Sequence, residues 1–151
     1  MPVVLFIGVV SCTQERSGAA TDNGLITVDG AQTVEETAAN LQEALEGAGF
    51  VVPTVIDHSA NAVRVGKELL PTKLIIFGNP KVGTNLMQSM QTVAIDLPQK
   101  FLIWEDNGGQ VHITYNSPQY LAERHGIEGQ DELLSNISNA LSRFAGSAAA
   151  K

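Results

Sequence analysis

Asp57 and His58 stand side by side where a β-branched stretch meets a helix start, so a carboxylate, an imidazole and free backbone N–H groups converge there. Such a set suits recognition of a polar ligand, or proton transfer if both groups face one substrate. Neighbours on a strand point to opposite faces, so adjacency alone does not make an acid/base dyad. The simpler reading has Asp57 or Ser59 capping the helix and His58 bonded to a carbonyl. A second constellation, Phe77-Gly78-Asn79-Pro80-Lys81-Val82-Gly83-Thr84, places Gly, Asn, Lys and Thr in one loop, with backbone that could approach an anion closely. Gly78 and Gly83 have the separation of a P-loop, but Thr84-Asn85 follows where Lys and then Ser or Thr is required. Gly and Pro that merely shape turns are the plain alternative.

His125 closes the stretch Tyr120 to Gly126, where an imidazole favours a helix C-terminus; it is also the best second imidazole for His58 in an acid/base or metal site. His58, His125 and either Asp57 or Glu123 form a minimal divalent-metal set, but no HExxH spacing supports it, and no metal is expected. No GxSxG elbow is present, and the one cysteine, Cys12, lies in an N-terminal apolar segment, so hydrolase triads have no support. GxGxxG is also missing, and no cofactor is expected. His112 lies between inward-looking Val111 and Ile113, which points it to solvent. Phe101, Trp104 and Tyr115 either line a ligand pocket or fill the core.

Several elements must position these groups. After a short β-prone segment at Leu25 to Val28, Thr33 and Glu36 have capping-box spacing; Val34, Ala38, Leu41, Leu45 and Ala48 follow on one helical face until Gly47 and Gly49 stop it. Val51 to Asp57 reads as a strand, with Pro53 arguing for an edge position or a strand start, and Ser59 caps a short helical segment ended by Pro71. Leu74 to Phe77 is a buried strand, and a helical or irregular segment runs from about Gly83 to Gln91. Lys100–Glu105 and Gln110–Tyr115 form a hairpin through Asp106-Asn107-Gly108-Gly109. A short helix spans Pro118 to His125, and Leu134, Ile137, Leu141 and Phe144 stripe a last helix starting near Asp131. The order, strand, long helix, four strands with short helical inserts, long helix, predicts an α+β fold of two layers, with helices on one face of an antiparallel sheet.

The 151 residues suit one domain, and 44% hydrophobic with 17% charged residues predicts a folded chain. Nine basic and sixteen acidic residues give a charge of −7, which repels nucleic-acid phosphates, so no nucleic-acid partner is expected. Residues 1–12, MPVVLFIGVVSC, are too short to span a bilayer but suit a signal h-region, and Val9-Val10-Ser11-Cys12 resembles a lipobox with Cys12 as lipidation site. Residues 13–23 then form a polar tether, residues 24–146 the domain and residues 147–151 a frayed tail. No Lys or Arg precedes Cys12, and the alternative is an added β-branched strand with an ordinary thiol.

PTKLIIFGNPKVGTNLMQ, with VIDHSANA before it and DLPQKFLIWED and YNSPQYLAERHGI after it, resembles the domain-of-unknown-function 302 family over roughly Gly24 to Phe144. The resemblance implies a TATA-binding-protein-like class of fold, a curved antiparallel sheet with two long helices, often homodimeric, and no established reaction. The expectation is a non-enzymatic small-ligand, partner-binding or sensor domain of the cell envelope, periplasmic or membrane-anchored through lipid, using Asp57, His58, Asn79, Thr84 and His125. The alternatives are a His/Asp enzyme with His58 as acid/base, a structural dimerisation module and, for location, the cytoplasm.

Overall fold

The computed structural model describes residues 20–150. Cys12, the apolar opening segment and most of the polar tether lie outside the described residues. In chain order the elements are β1 (Leu25–Gly30), α1 (Val34–Gly47), β2 (Val51–Asp57), α2 (His58–Arg64), β3 (Thr72–Gly78), α3 (Pro80–Ser89), a 3₁₀ turn (Gln91–Ile95), β4 (Gln99–Glu105), β5 (Val111–Asn116), α4 (Pro118–His125) and α5 (Asp131–Ala149). The strands form one antiparallel sheet in the order β1-β5-β4-β3-β2.

Local chemistry accounts for the first helix. The Thr33 hydroxyl accepts from the Glu36 N–H, the Glu36 carboxylate accepts from the Thr33 N–H, and both halves of the capping box are present. Val34, Ala38, Leu41 and Leu45 then recur at helical spacing and are buried. They pack with Leu141, Ala145 and Ala148 of α5 on one face of the sheet, against Ile75, Phe77, Phe101, Ile103, Val111, Ile113 and Tyr115. Each of these strands alternates, as a sheet covered on one face requires. Full burial of a side chain such as Leu41 or Leu45 stabilises the fold by about 1.5–3 kcal/mol.

β2 is an edge strand, and its pairing with β3 shifts register between Val51 and Thr54. Pro53 lies at that irregularity, where its missing N–H costs no ladder bond. A second, smaller core joins Leu86, Val93, Ala122, Ile127 and Leu134, tying α3, the 3₁₀ turn and α4 to α5. Gly24 enters β1 at φ +78 against the Tyr120 ring, so a side chain there would meet both strain and a clash.

The C-terminal stretch differs from its expected fraying. α5 continues through Ala149, Ala148 is buried, and the Ala31 N–H donates to the Ala149 carbonyl at 3.2 Å. Small alanines let the helix end lie close to the sheet, which supplies tertiary support that composition alone does not reveal.

Among the described residues one buried side-chain polar atom lacks a partner: the Thr37 hydroxyl, inside α1 and fully enclosed. Replacing it with the near-isosteric Thr37→Val removes an unsatisfied group whose burial costs about 1–3 kcal/mol. The variant is expected to be more stable by about 1 kcal/mol, read as a higher urea midpoint with an unchanged slope.

Candidate functional site

The structure distributes the expected site residues over three places. Asp57 is the N-cap of α2: its Oδ1 accepts from the Ala60 N–H at 2.8 Å and from the Ser59 hydroxyl at 2.7 Å. Asp57, and not Ser59, is therefore the capping residue; Ser59 supports it. These two bonds, the Ala60 N–H first, hold the Asp57 carboxyl below the usual carboxylate range, helped by Lys73 at 3.6 Å. Lys73 also pairs with Glu35 of α1, a bond that raises the lysine above its ordinary value. His58 is the first residue of α2, partly buried. This end of β2 serves as a capping and ion-pair station.

Asn79 and Thr84 lie at the opposite end of the sheet, where Val51 pairs with Gly78 while Asp57 pairs with Lys73. Asn79 caps α3, its Oδ1 accepting from the Lys81 N–H at 3.1 Å. Both residues line a cavity of 560 Å³ between α3, the 3₁₀ turn, α5 and the sheet end formed by β2 and β3. Its walls are mostly apolar: Phe50 and Phe77 from the sheet side, Leu86 and Met87 from α3, Ile137 and Phe144 from α5. The size and lining are those of a small-molecule site, which has a hydrocarbon wall and a few polar groups. Leu133, Asn136 and Ala140, which also line it, belong to a flank of α5 beside the stripe of Leu134 and Leu141.

His125 is not beside His58's partners but in a cluster of its own. Its Nε2 lies 2.6 Å from Asp96 Oδ2 and its Nδ1 3.0 Å from the Thr92 hydroxyl, with its side chain only 7% exposed. Arg124 approaches the other Asp96 oxygen at 3.6 Å, and Lys100 Nζ donates to the carbonyls of Asp96 and Pro98 at 2.7 and 2.8 Å. Burial pushes the Lys100 ammonium down, with Asp96 opposing the shift. The cluster clamps the segment that carries the cavity-lining Ala94, Leu97 and Pro98. Sequence reasoning missed Asp96 and Thr92. Among the described residues no group of three or more His, Cys, Asp and Glu is placed to hold a metal ion.

His112 is the other departure. It does face away from Ile113, yet its side chain is only 15% exposed. Nδ1 lies 3.1 Å from Asp29 of β1, Nε2 lies 3.0 Å from Asp106 of the hairpin turn, and the ring packs on Trp104 at 4.6 Å. Trp104 Nε1 donates to the Thr114 hydroxyl, which bonds Thr27 across the strands. Phe101 and Tyr115, by contrast, are core. The available signal was Asp106 two residues before Gly108, an Asx-turn pattern in which Oδ1 accepts the Gly108 and Gln110 N–H groups.

His112 first, then the Gln110 N–H, holds the Asp106 carboxyl below its ordinary value. A carboxyl depressed on folding leaves the native state with fewer bound protons than the unfolded chain, so stability falls as pH falls. The contributions of Asp106 and Asp57 are present above the ordinary carboxylate value and lost below roughly pH 4. Urea midpoints from pH 7 to pH 3 are expected to drop, and Asp106→Asn to flatten part of that slope while lowering stability at pH 7.

The fold and cavity define an α+β domain with one sheet face covered by two long helices and an apolar chamber at one end of the sheet. A family model for a domain of unknown function, DUF302, matches residues 26–144, and the chain belongs to that family. The chain is 45% identical over 106 residues to proteins named fluoride-specific ion channel FluC 1 of Brucella suis biovar 1 (strain 1330) and FluC 2 of Brucella melitensis biotype 1 (strain ATCC 23456 / CCUG 17765 / NCTC 10094 / 16M). The match covers 70% of this chain in both cases, and 42% and 39% of those proteins; the chain thus spans about two fifths of their length. The crystal structure of an uncharacterized conserved protein DUF302 from Bacillus stearothermophilus superposes with a TM-score of 0.74 at 21% identity, covering 83% of this chain and 98% of that one. That likeness extends to the fold. No described helix is long and apolar enough to cross a membrane.

Proposed function

We propose that this DUF302 domain is a non-enzymatic binding or sensor domain for a small molecule, held in the cavity that Asn79 and Thr84 line. The cavity itself carries the reading: 560 Å³ bounded by three helical segments and a sheet end is the concave, largely apolar space that small-ligand sites use. A dimerisation module has no need of such a chamber. The channel activity in the names of the Brucella proteins belongs to those whole proteins, and the reading here rests on the cavity alone. Native mass spectrometry of the chain purified without detergent tests it: a retained small molecule, lost when the cavity is filled by substitution, supports it. A chain that stays empty in extracts and shifts in thermal melting with no compound of a broad small-molecule library refutes it.

Envelope location, lipid attachment at Cys12 and pairing of two copies belong to the same proposal. The exposed Val63, Val65 and Leu69 offer apolar surface for a second copy. The mass of the mature N-terminus and sedimentation of the purified chain test these points separately.

One observation favours a second reading, acid/base chemistry. Thr92, His125 and Asp96 stand in line as hydroxyl, imidazole and carboxylate, at 3.0 and 2.6 Å, the geometry by which a base activates a hydroxyl. Hydrolysis of a neutral activated ester that disappears in both Thr92→Ala and His125→Gln would establish it. Equal rates in all three proteins leave the cluster as the clamp of the cavity wall, the outcome expected here.

A further inference from the structure

We infer that the cavity takes an uncharged ligand, mainly hydrocarbon, with a neutral hydrogen-bonding end group such as a hydroxyl, carbonyl or amide. The inference rests on the binding reading above and names the ligand class. Twenty-two of the described residues line the chamber, and none of them is Asp, Glu, Lys, Arg or His. The polar lining is Asn79, Thr84, Gln99 and Asn136, all neutral groups able to donate and accept. An ionised head buried there would lose its water and find no counter-charge.

Two of the charged residues that flank the walls in sequence have other partners, and Glu132 and Arg143, which flank Leu133 and Phe144, are exposed and outside the lining. Asp96, between Ile95 and Leu97, faces His125 and Arg124, while Lys100 donates to the carbonyls of Asp96 and Pro98. Lys81 is exposed on α3 and is not part of the lining.

The start of α3, where an anion would be expected to settle, is already satisfied. Pro80 has no N–H, the Lys81 N–H goes to Asn79 Oδ1, and those of Val82 and Gly83 both go to the Asn79 carbonyl at 2.9 Å. The anion approach that the Gly-Asn loop suggests in the sequence is therefore closed. Asn79 also carries its Nδ2 amide N–H groups, neutral donors suited to a carbonyl or hydroxyl oxygen.

Three probes with one ten-carbon chain and different heads decide the matter: 1-decanol, decanoate and decylammonium, titrated into the full chain at pH 8 below their aggregation concentrations. Decanol is expected to bind at least tenfold more tightly than either ion, and Gly83→Trp or Ala140→Trp, on facing walls, to weaken it at least tenfold with the fold retained by circular dichroism. Decanoate or decylammonium binding as tightly as decanol, and blocked by the same substitutions, overturns the ligand class while the cavity reading stands. Failure of all three probes, or binding that neither substitution affects, overturns both.

Discussion

Phe101→Ala is expected to lose about 3–5 kcal/mol, the range for emptying a buried aromatic site. The ring has 0% exposure in the central strand β4, where Ile75 of β3 is its cross-strand partner. It stacks on Phe77 with centroids 4.9 Å apart and meets Tyr115 edge-on at 5.4 Å. Phe77 in turn contacts Phe50, which contacts Phe144 of α5, so the aromatic series joins three strands, a helix exit and the C-terminal helix. Such pairs add about 0.5–1.5 kcal/mol each beyond burial. Domains of this size have only about 5–15 kcal/mol in total, so the variant is expected to melt roughly 10 °C lower. Trp104→Ala provides the contrast: Trp104 lies on the other face, partly exposed, and should cost clearly less. Equal losses at the two positions would mean that both faces of the sheet are core.

Tyr115 records the same burial electrostatically. Loss of hydration on the helix-facing side pushes its phenol up, and a hydrogen bond with Ser142 opposes that only in part. A phenol raised on folding keeps its full contribution below its ordinary value, and the contribution is lost as the solution becomes more alkaline. Asp57 and Asp106, with Glu36 of the capping box, therefore contribute to loss of stability on the acid side, while Tyr115 in the interior contributes on the alkaline side.

How much of this was legible depended on the range of the interaction. The Thr33–Glu36 capping box spans only four residues, and spacing alone located it. The strand pattern was legible too, because one covered face forces alternation at Phe101-Ile103 and Val111-Ile113-Tyr115. His112 illustrates the limit: alternation assigned its face correctly, but exposure depended on Asp29, 83 residues away in sequence on the adjacent edge strand β1. His125 likewise found Asp96, 29 residues earlier, and not His58. Asn79 and Thr84 were recognisable as a polar and Gly-containing break after a buried strand. The chamber beside them was not, because its walls come from β2, β3, α3, the 3₁₀ turn and α5. On α5 the stripe of Leu134, Ile137, Leu141 and Phe144 reads as one core face, although Ile137, Leu141 and Phe144 also line a cavity. Helical period reports that a face is covered and says nothing of a gap beneath it.

That gap makes Gly83→Trp the decisive variant. Gly83 lies inside α3, where glycine is a poor helix residue, and a Cβ added there would have only ordinary contacts, with Leu97 Cδ1 at 3.8 Å and Met87 Cε at 4.0 Å. Both neighbours line the cavity, so the Cβ vector enters it. Gly83→Ala should therefore stabilise the domain by about 0.5–1 kcal/mol through the lower entropy of the unfolded chain and leave most of the chamber open. Gly83→Trp should keep the fold and occupy the chamber with an indole. Loss of ligand affinity by tenfold or more corresponds to about 1.4 kcal/mol or above. If the chamber were only a packing defect, filling it with apolar atoms would raise stability and change no binding at all. If it is a ligand site, the same substitution removes the stabilisation that bound ligand confers, so added ligand should raise the melting temperature of the natural chain and of Gly83→Ala but leave Gly83→Trp unmoved. A ligand-induced shift preserved in Gly83→Trp would place the binding site elsewhere on the molecule.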